Sequence, residues 1–135
     1  MSSTHVAPTG RTVLVVDDED DLREIMCYGL QRRGFTTLSA AGATEAVAVA
    51  HDYDGPIDVL VTDLVLPGTS GSQLAALLTA VRPRLRVLYA SGWSRSAAIS
   101  RGLVDERSVV VQKPFTPDEL VDAVRSVLRV PTLMT

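Results

Sequence analysis

Five short apolar runs rich in β-branched residues punctuate the chain: Thr12-Val13-Leu14-Val15-Val16, Phe35-Thr36-Thr37-Leu38-Ser39, Ile57-Asp58-Val59-Leu60-Val61-Thr62, Arg86-Val87-Leu88-Tyr89-Ala90 and Ser108-Val109-Val110-Val111-Gln112. Such runs suit strands buried on both faces of a parallel sheet. Between them the spacing turns helical. Leu22, Ile25, Met26 and Leu30 repeat at helical intervals and stop at Arg32-Arg33-Gly34, cations and a glycine suited to a helix C-terminus. Leu74, Leu77, Leu78 and Val81 do the same after Ser70-Gly71-Ser72-Gln73, a capping-box signature. Leu120, Val121, Val124, Val127 and Leu128 follow Thr116-Pro117-Asp118-Glu119, which supplies a cap, a proline at the first helical position and acids in the first turn. Residues 43–50 read as helix, although their Val-Ala alternation also permits a strand. Between Trp93 and Arg107 the pattern predicts a short helix near Ser96 to Arg101, then Gly102 and a loop.

Strands alternating with helices predict an α/β domain of three layers, a parallel sheet covered on both faces. A chain of 135 residues has room for one domain. It is expected over residues 12–129, behind a polar, flexible lead-in at 1–11 and ahead of a tail at 130–135.

Composition removes several functions. Thirteen basic against sixteen acidic side chains give a net charge of −3, with no basic block longer than Arg32-Arg33, so nucleic acid is not an expected ligand. Cys27 is alone and His5 and His51 are the only histidines, which leaves no intramolecular disulfide and a poor supply of zinc ligands. No apolar run approaches the ~18 residues of a membrane span. The N-terminus lacks the apolar core of a signal peptide, and the expected address is the cytoplasm. Lys113 is the single lysine among the basic residues. Either the coding is biased toward arginine, or this position needs a compact ammonium.

Sites in open α/β sheets lie beyond the carboxyl ends of the strands. The first strand is followed by Asp17-Asp18-Glu19-Asp20-Asp21, the third by Asp63, the fourth by Ser91-Gly92 and the fifth by Lys113-Pro114-Phe115. Consecutive acids after the first strand would repel a phosphate unless a cation intervened. Glu19, Asp20 and Asp21 are accounted for by the positive end of a helix dipole, whereas Asp17 ends a strand. If the first and third strands are neighbours, three carboxylates converge, and two charges ~4 Å apart repel by ~4 kcal/mol at an effective dielectric of 20. Hard oxygen donors in such a cluster favour Mg²⁺. With Ser91 as hydroxyl donor and Lys113 as ammonium, the set suits phosphoryl transfer to Asp63.

Val13-Leu14-Val15-Val16-Asp17-Asp18, Thr62-Asp63-Leu64-Val65-Leu66-Pro67-Gly68 with Gly71, Ala90-Ser91-Gly92 and Gln112-Lys113-Pro114-Phe115 resemble receiver domains of bacterial two-component response regulators. The resemblance spans residues 11–129 and implies a flavodoxin-like, doubly wound five-stranded sheet of order 2-1-3-4-5. It implies that Asp63 accepts the phosphoryl group of a phosphohistidine, on a sensor histidine kinase or a histidine phosphotransfer protein. It also implies that Asp18, Asp63 and the Val65 carbonyl ligate Mg²⁺, with Asp17 bound through water. Ser91 would hydrogen-bond the phosphoryl group and shift on activation, Lys113 would pair with its oxygens, and the bond to Pro114 would be cis. The output would be a change in protein–protein contacts rather than multiple-turnover catalysis. One departure matters: the switch aromatic usual three residues before the lysine is here Val110. Trp93, the sole tryptophan and two past Ser91, either faces a partner or the mouth of the site, or is a partly buried loop anchor.

Two homes fit: a stand-alone receiver, with no output domain expected after residue 129, or the receiver piece of a hybrid sensor kinase or phosphorelay. A haloacid-dehalogenase-like phosphohydrolase also uses an Asp nucleophile, Lys and Mg²⁺. Its threonine is missing from Asp18-Glu19-Asp20-Asp21-Leu22, and the chain is short for it.

Overall fold

A computed structural model describes residues 7–129; residues 1–6 of the expected lead-in and the expected tail at 130–135 lie outside the described residues. The purest apolar runs take the middle of the sheet. β1 (Thr12–Val16) is buried throughout, and β3 (Val59–Asp63) is buried up to its last residue. The strands mixed with Thr and Ser or ending in Gln, β2 (Thr36–Ala40) and β7 (Val109–Gln112), lie at the edges and are partly exposed. β6 (Arg86–Ser91) completes a five-stranded, all-parallel sheet of order β2-β1-β3-β6-β7. This is the expected order, with the last two strands renumbered because a small hairpin, β4 (Val65–Leu66) and β5 (Thr69–Ser70), intervenes. Burial on both faces holds for the central strands. It does not hold for the edges, where one long side has no neighbouring strand.

Alternate side chains of the strands feed two separate cores. Leu14, Val16, Leu60 and Tyr89 pack with Leu74 and Leu78, on the side of α2 (Ala43–Asp52) and α3 (Gly71–Val81). Val13, Val15, Val59, Val61 and Leu88 pack with Met26, Leu30, Leu120 and Val124, on the side of α1 (Asp20–Arg32) and α5 (Pro117–Arg129). Each fully buried leucine among these contributes on the order of 2 kcal/mol.

Helix ends follow their sequence signals. Thr116 and Glu119 make a reciprocal capping box at α5, with bonds of 3.1 Å and 2.7 Å. Ser70 caps α3 by accepting the Gln73 N–H. Residues 43–50 are helical, and the short helix α4 (Arg95–Ser100) lies near its expected place, with Ser94 as cap. β2 begins one residue after the apolar run because the Phe35 N–H bonds the Leu30 carbonyl and closes the end of α1. At the end of the lead-in, Thr9 N–H bonds the Gly34 carbonyl at 2.9 Å, and the Arg11 guanidinium reaches Asp58 at 3.4 Å. Among the described residues, no helix is long and apolar enough to cross a membrane.

Candidate functional site

Strand register brings the chemistry together. Val16 pairs with Thr62, so the next residues, Asp17 and Asp63, emerge side by side. Asp63 pairs with Ala90, which sets Ser91 one step beyond, and Ser91 pairs with Gln112, which sets Lys113 one step further. Four residues from four strands thus meet at the carboxyl edge.

The Lys113 ammonium is the centre of the cluster. Its Nζ lies 3.1 Å from Asp17 Oδ2 and 3.1 Å from Asp63 Oδ2, with only 22% of its side chain exposed. Burial alone would lower its pKa, but hydrogen bonds and attraction from Asp63 and Asp17 outweigh that, and the net shift is upward. Lys113 is therefore charged at neutral pH. Asp17 is 1% exposed, and its other oxygen accepts the Glu19 N–H at 2.9 Å. Asp18 is exposed. One carboxylate oxygen from each of Asp17, Asp18 and Asp63 lies within 4.8 Å of the others. A single ammonium cannot neutralise three carboxylates, and hard anionic oxygens partly open to solvent fit Mg²⁺.

Ser91 is 2% exposed, with its carbonyl accepting the Lys113 N–H at 2.7 Å and its Oγ accepting the Trp93 N–H at 2.9 Å. The Lys113–Pro114 peptide is cis, as expected. Val65, in β4, is 57% exposed, and Val110 packs against the core as the register partner of Tyr89. Trp93 is 40% exposed, and the Arg101 guanidinium lies 4.3 Å over its ring.

Three further residues support the site, and of these Arg23 escapes a linear reading. Arg23 donates to the Asp17 carbonyl and to the Asp20 carboxylate, both at 2.7 Å, and so ties the acidic loop to α1. Its spacing from Asp20 is a helical ion-pair signal, but the carbonyl contact depends on the turn between β1 and α1. Thr62 is fully buried, and its hydroxyl donates to the Asp63 carbonyl at 3.0 Å. Gly71 backs the same carbonyl: a Cβ built there would collide with the Asp63 carbonyl oxygen.

Residues 13–125 match the family described as response regulator receiver domain. The chain belongs to that family. Among curated relatives, this receiver domain is 32% identical over 117 residues to the sensor kinase CckA of Brucella abortus, covering 87% of this chain and 12% of that one. It is 36% identical over 126 residues to the phosphate regulon transcriptional regulatory protein PhoB of Pseudomonas aeruginosa, covering 89% of this chain and 52% of that one. The chain thus spans about half of PhoB and a small part of CckA. Among solved structures, the receiver domain of the hybrid histidine kinase CckA superposes with a TM-score of 0.72 at 27% identity, over 87% of this chain and 99% of that one. A response regulator receiver protein from Sinorhizobium medicae gives 0.76 at 27% identity, over 90% and 97%. Membership of a signalling family removes the ground for the dehalogenase-like alternative. The local geometry agrees, since Lys113 contacts Asp63 and Asp17 rather than Asp18.

Proposed function

We propose that residues 12–129 act as a phosphoacceptor unit, with Asp63 as the residue phosphorylated. The observation that carries this reading is the Lys113 ammonium bridging Asp63 and a deeply buried Asp17 beside a third carboxylate. An Asp63 oxygen attacks the phosphorus of a phosphohistidine; a P–O bond forms, the P–N bond breaks, and the imidazole leaves with the bonding electron pair. Lys113 steadies the transferring oxygens, and the Ser91 hydroxyl donates to one of them. Asp17, Asp18 and Asp63, with the Val65 carbonyl, would hold Mg²⁺, which supplies the positive charge that offsets an anion arriving among carboxylates. The turnover is stoichiometric: the acyl phosphate is the signal, and it alters contacts with a downstream protein. The phosphoryl source is a sensor histidine kinase or histidine phosphotransfer protein, and the setting is the cytoplasm. The similarity to the CckA receiver favours a second setting, a phosphorelay built on a hybrid kinase.

Intact-mass analysis after incubation with acetyl phosphate tests the assignment. Wild type gains one phosphoryl mass with Mg²⁺ and none with EDTA, and Asp63→Asn gains none under either condition. Base-labile labelling that persists in Asp63→Asn overturns it.

A further inference from the structure

The side of the sheet beneath α4 has no switch aromatic at residue 110. Val110 is small, and Tyr89, its partner on β6, is only 7% exposed within the same core. The exposed aromatic nearest in sequence to Ser91 is Trp93, and two contacts tie it. Its N–H donates to Ser91 Oγ at 2.9 Å, and its ring lies under the Arg101 guanidinium at 4.3 Å. Between these contacts sits α4, a six-residue helix too short to hold its place by its own hydrogen bonds. Ser94, next to Trp93, accepts the Ala97 N–H at 3.2 Å and starts α4, while Arg101 ends it. One residue therefore touches both ends of the helix.

We infer that Trp93 and Arg101 form the readout of this receiver: the stack holds α4 while Asp63 is free and is released when Ser91 turns to a phosphoryl group on Asp63. The inference rests on the role proposed for Ser91. A serine hydroxyl moves between staggered rotamers, and a turn of χ1 takes Oγ off the Trp93 N–H. That amide must then find another partner, and at the rim of the site the partner is water. The Gly92-Trp93-Ser94 loop shifts with it, the indole slides from beneath Arg101, and α4 loses a tie at each end. A bare indole and a displaced α4 are what a downstream protein would recognise. The plainer alternative, that the guanidinium merely covers an exposed ring, predicts no response to phosphorylation.

Trp93 is the only tryptophan, so its fluorescence reports the contact directly. The full chain and Arg101→Ala are treated with acetyl phosphate and Mg²⁺, with intact mass read beside acrylamide quenching. Phosphorylated wild type shows about a twofold higher quenching constant, as expected for uncovering a ring stacked beneath a cation. Arg101→Ala phosphorylates to the wild-type extent, starts at the higher constant and changes little, while Arg101→Lys restores part of the wild-type response. Wild type that gains the phosphoryl mass but quenches as before overturns the inference and leaves the Asp63 assignment standing. So does Arg101→Ala responding as wild type does. Failure to gain the mass overturns the Asp63 assignment, and this inference with it.

Discussion

Lys113 places one small charge between two carboxylates on different strands, each 3.1 Å away. A guanidinium is planar and wider, and a side chain that is 22% exposed has little room to turn one. Lys113→Arg is expected to keep the charge yet lose about tenfold in the rate of phosphorylation by acetyl phosphate, roughly 1.4 kcal/mol of barrier. Unchanged labelling kinetics would show that charge alone suffices. A second expectation concerns the lifetime of the acyl phosphate. Hydrolysis needs a water placed in line behind the phosphorus, and Val65, 57% exposed at the rim, can neither donate nor accept a proton. Decay is therefore expected to be slow, and Val65→Asn to hasten it by about one decade. Trp93→Glu should hasten it as well, because an indole N–H only donates whereas a carboxylate can accept a proton from the attacking water. Loss of the phosphoryl mass over time, for each variant and the pair, decides between these outcomes. At this scale the sequence was readable wherever a reactive residue ends a strand or directly follows one, as Asp63 and Ser91, and Asp17 and Lys113, do. It was silent where a long side chain reaches across a turn, as Arg23 does, or back along a helix, as Arg101 does.

Among the elements, the join of β3 to α3 bears most on the site. Pro67 and Gly68 form the turn of the β4–β5 hairpin, with Gly68 at a φ of +75°. This is the proline-then-glycine order of a type II turn. Three residues later, Gly71 starts α3 hard against the backbone of Asp63. Gly71→Ala forces its methyl into the Asp63 carbonyl and is expected to cost about 1–3 kcal/mol of stability. It should also slow labelling of Asp63 by displacing the strand end that carries it. Urea unfolding and intact-mass kinetics measure the two effects; a variant as stable and as readily labelled as wild type would mean that α3 simply slides away. The hairpin was invisible beforehand because two-residue strands carry no periodicity, and Leu64-Val65-Leu66-Pro67-Gly68 reads as a loop. The helices with strong caps were legible. The first residue of β2 was not, because Phe35 is as apolar as a strand residue while its N–H serves α1.

For the whole molecule, the alternation of strands and helices made the layer architecture legible, but the neighbour relations of parallel strands leave no trace in a linear pattern. The order came through resemblance rather than periodicity, and the convergence of Asp17 with Asp63 depended on it. What the sheet does to the interior reaches further. It divides the apolar side chains into two groups, one with α2 and α3 and the other with α1 and α5. Leu78 and Val124 belong to different groups, while Leu60 and Leu74 share one. Leu78→Ala and Val124→Ala are therefore expected to add in a double mutant to within about 0.5 kcal/mol of unfolding free energy, whereas Leu60→Ala with Leu74→Ala should depart from the sum by more. Denaturant titration of the four single and two double variants checks this, and coupling of similar size in both pairs would contradict it. The sheet is thus a firewall: a change of packing on the helical layer that carries α3 need not be answered on the layer that carries α1.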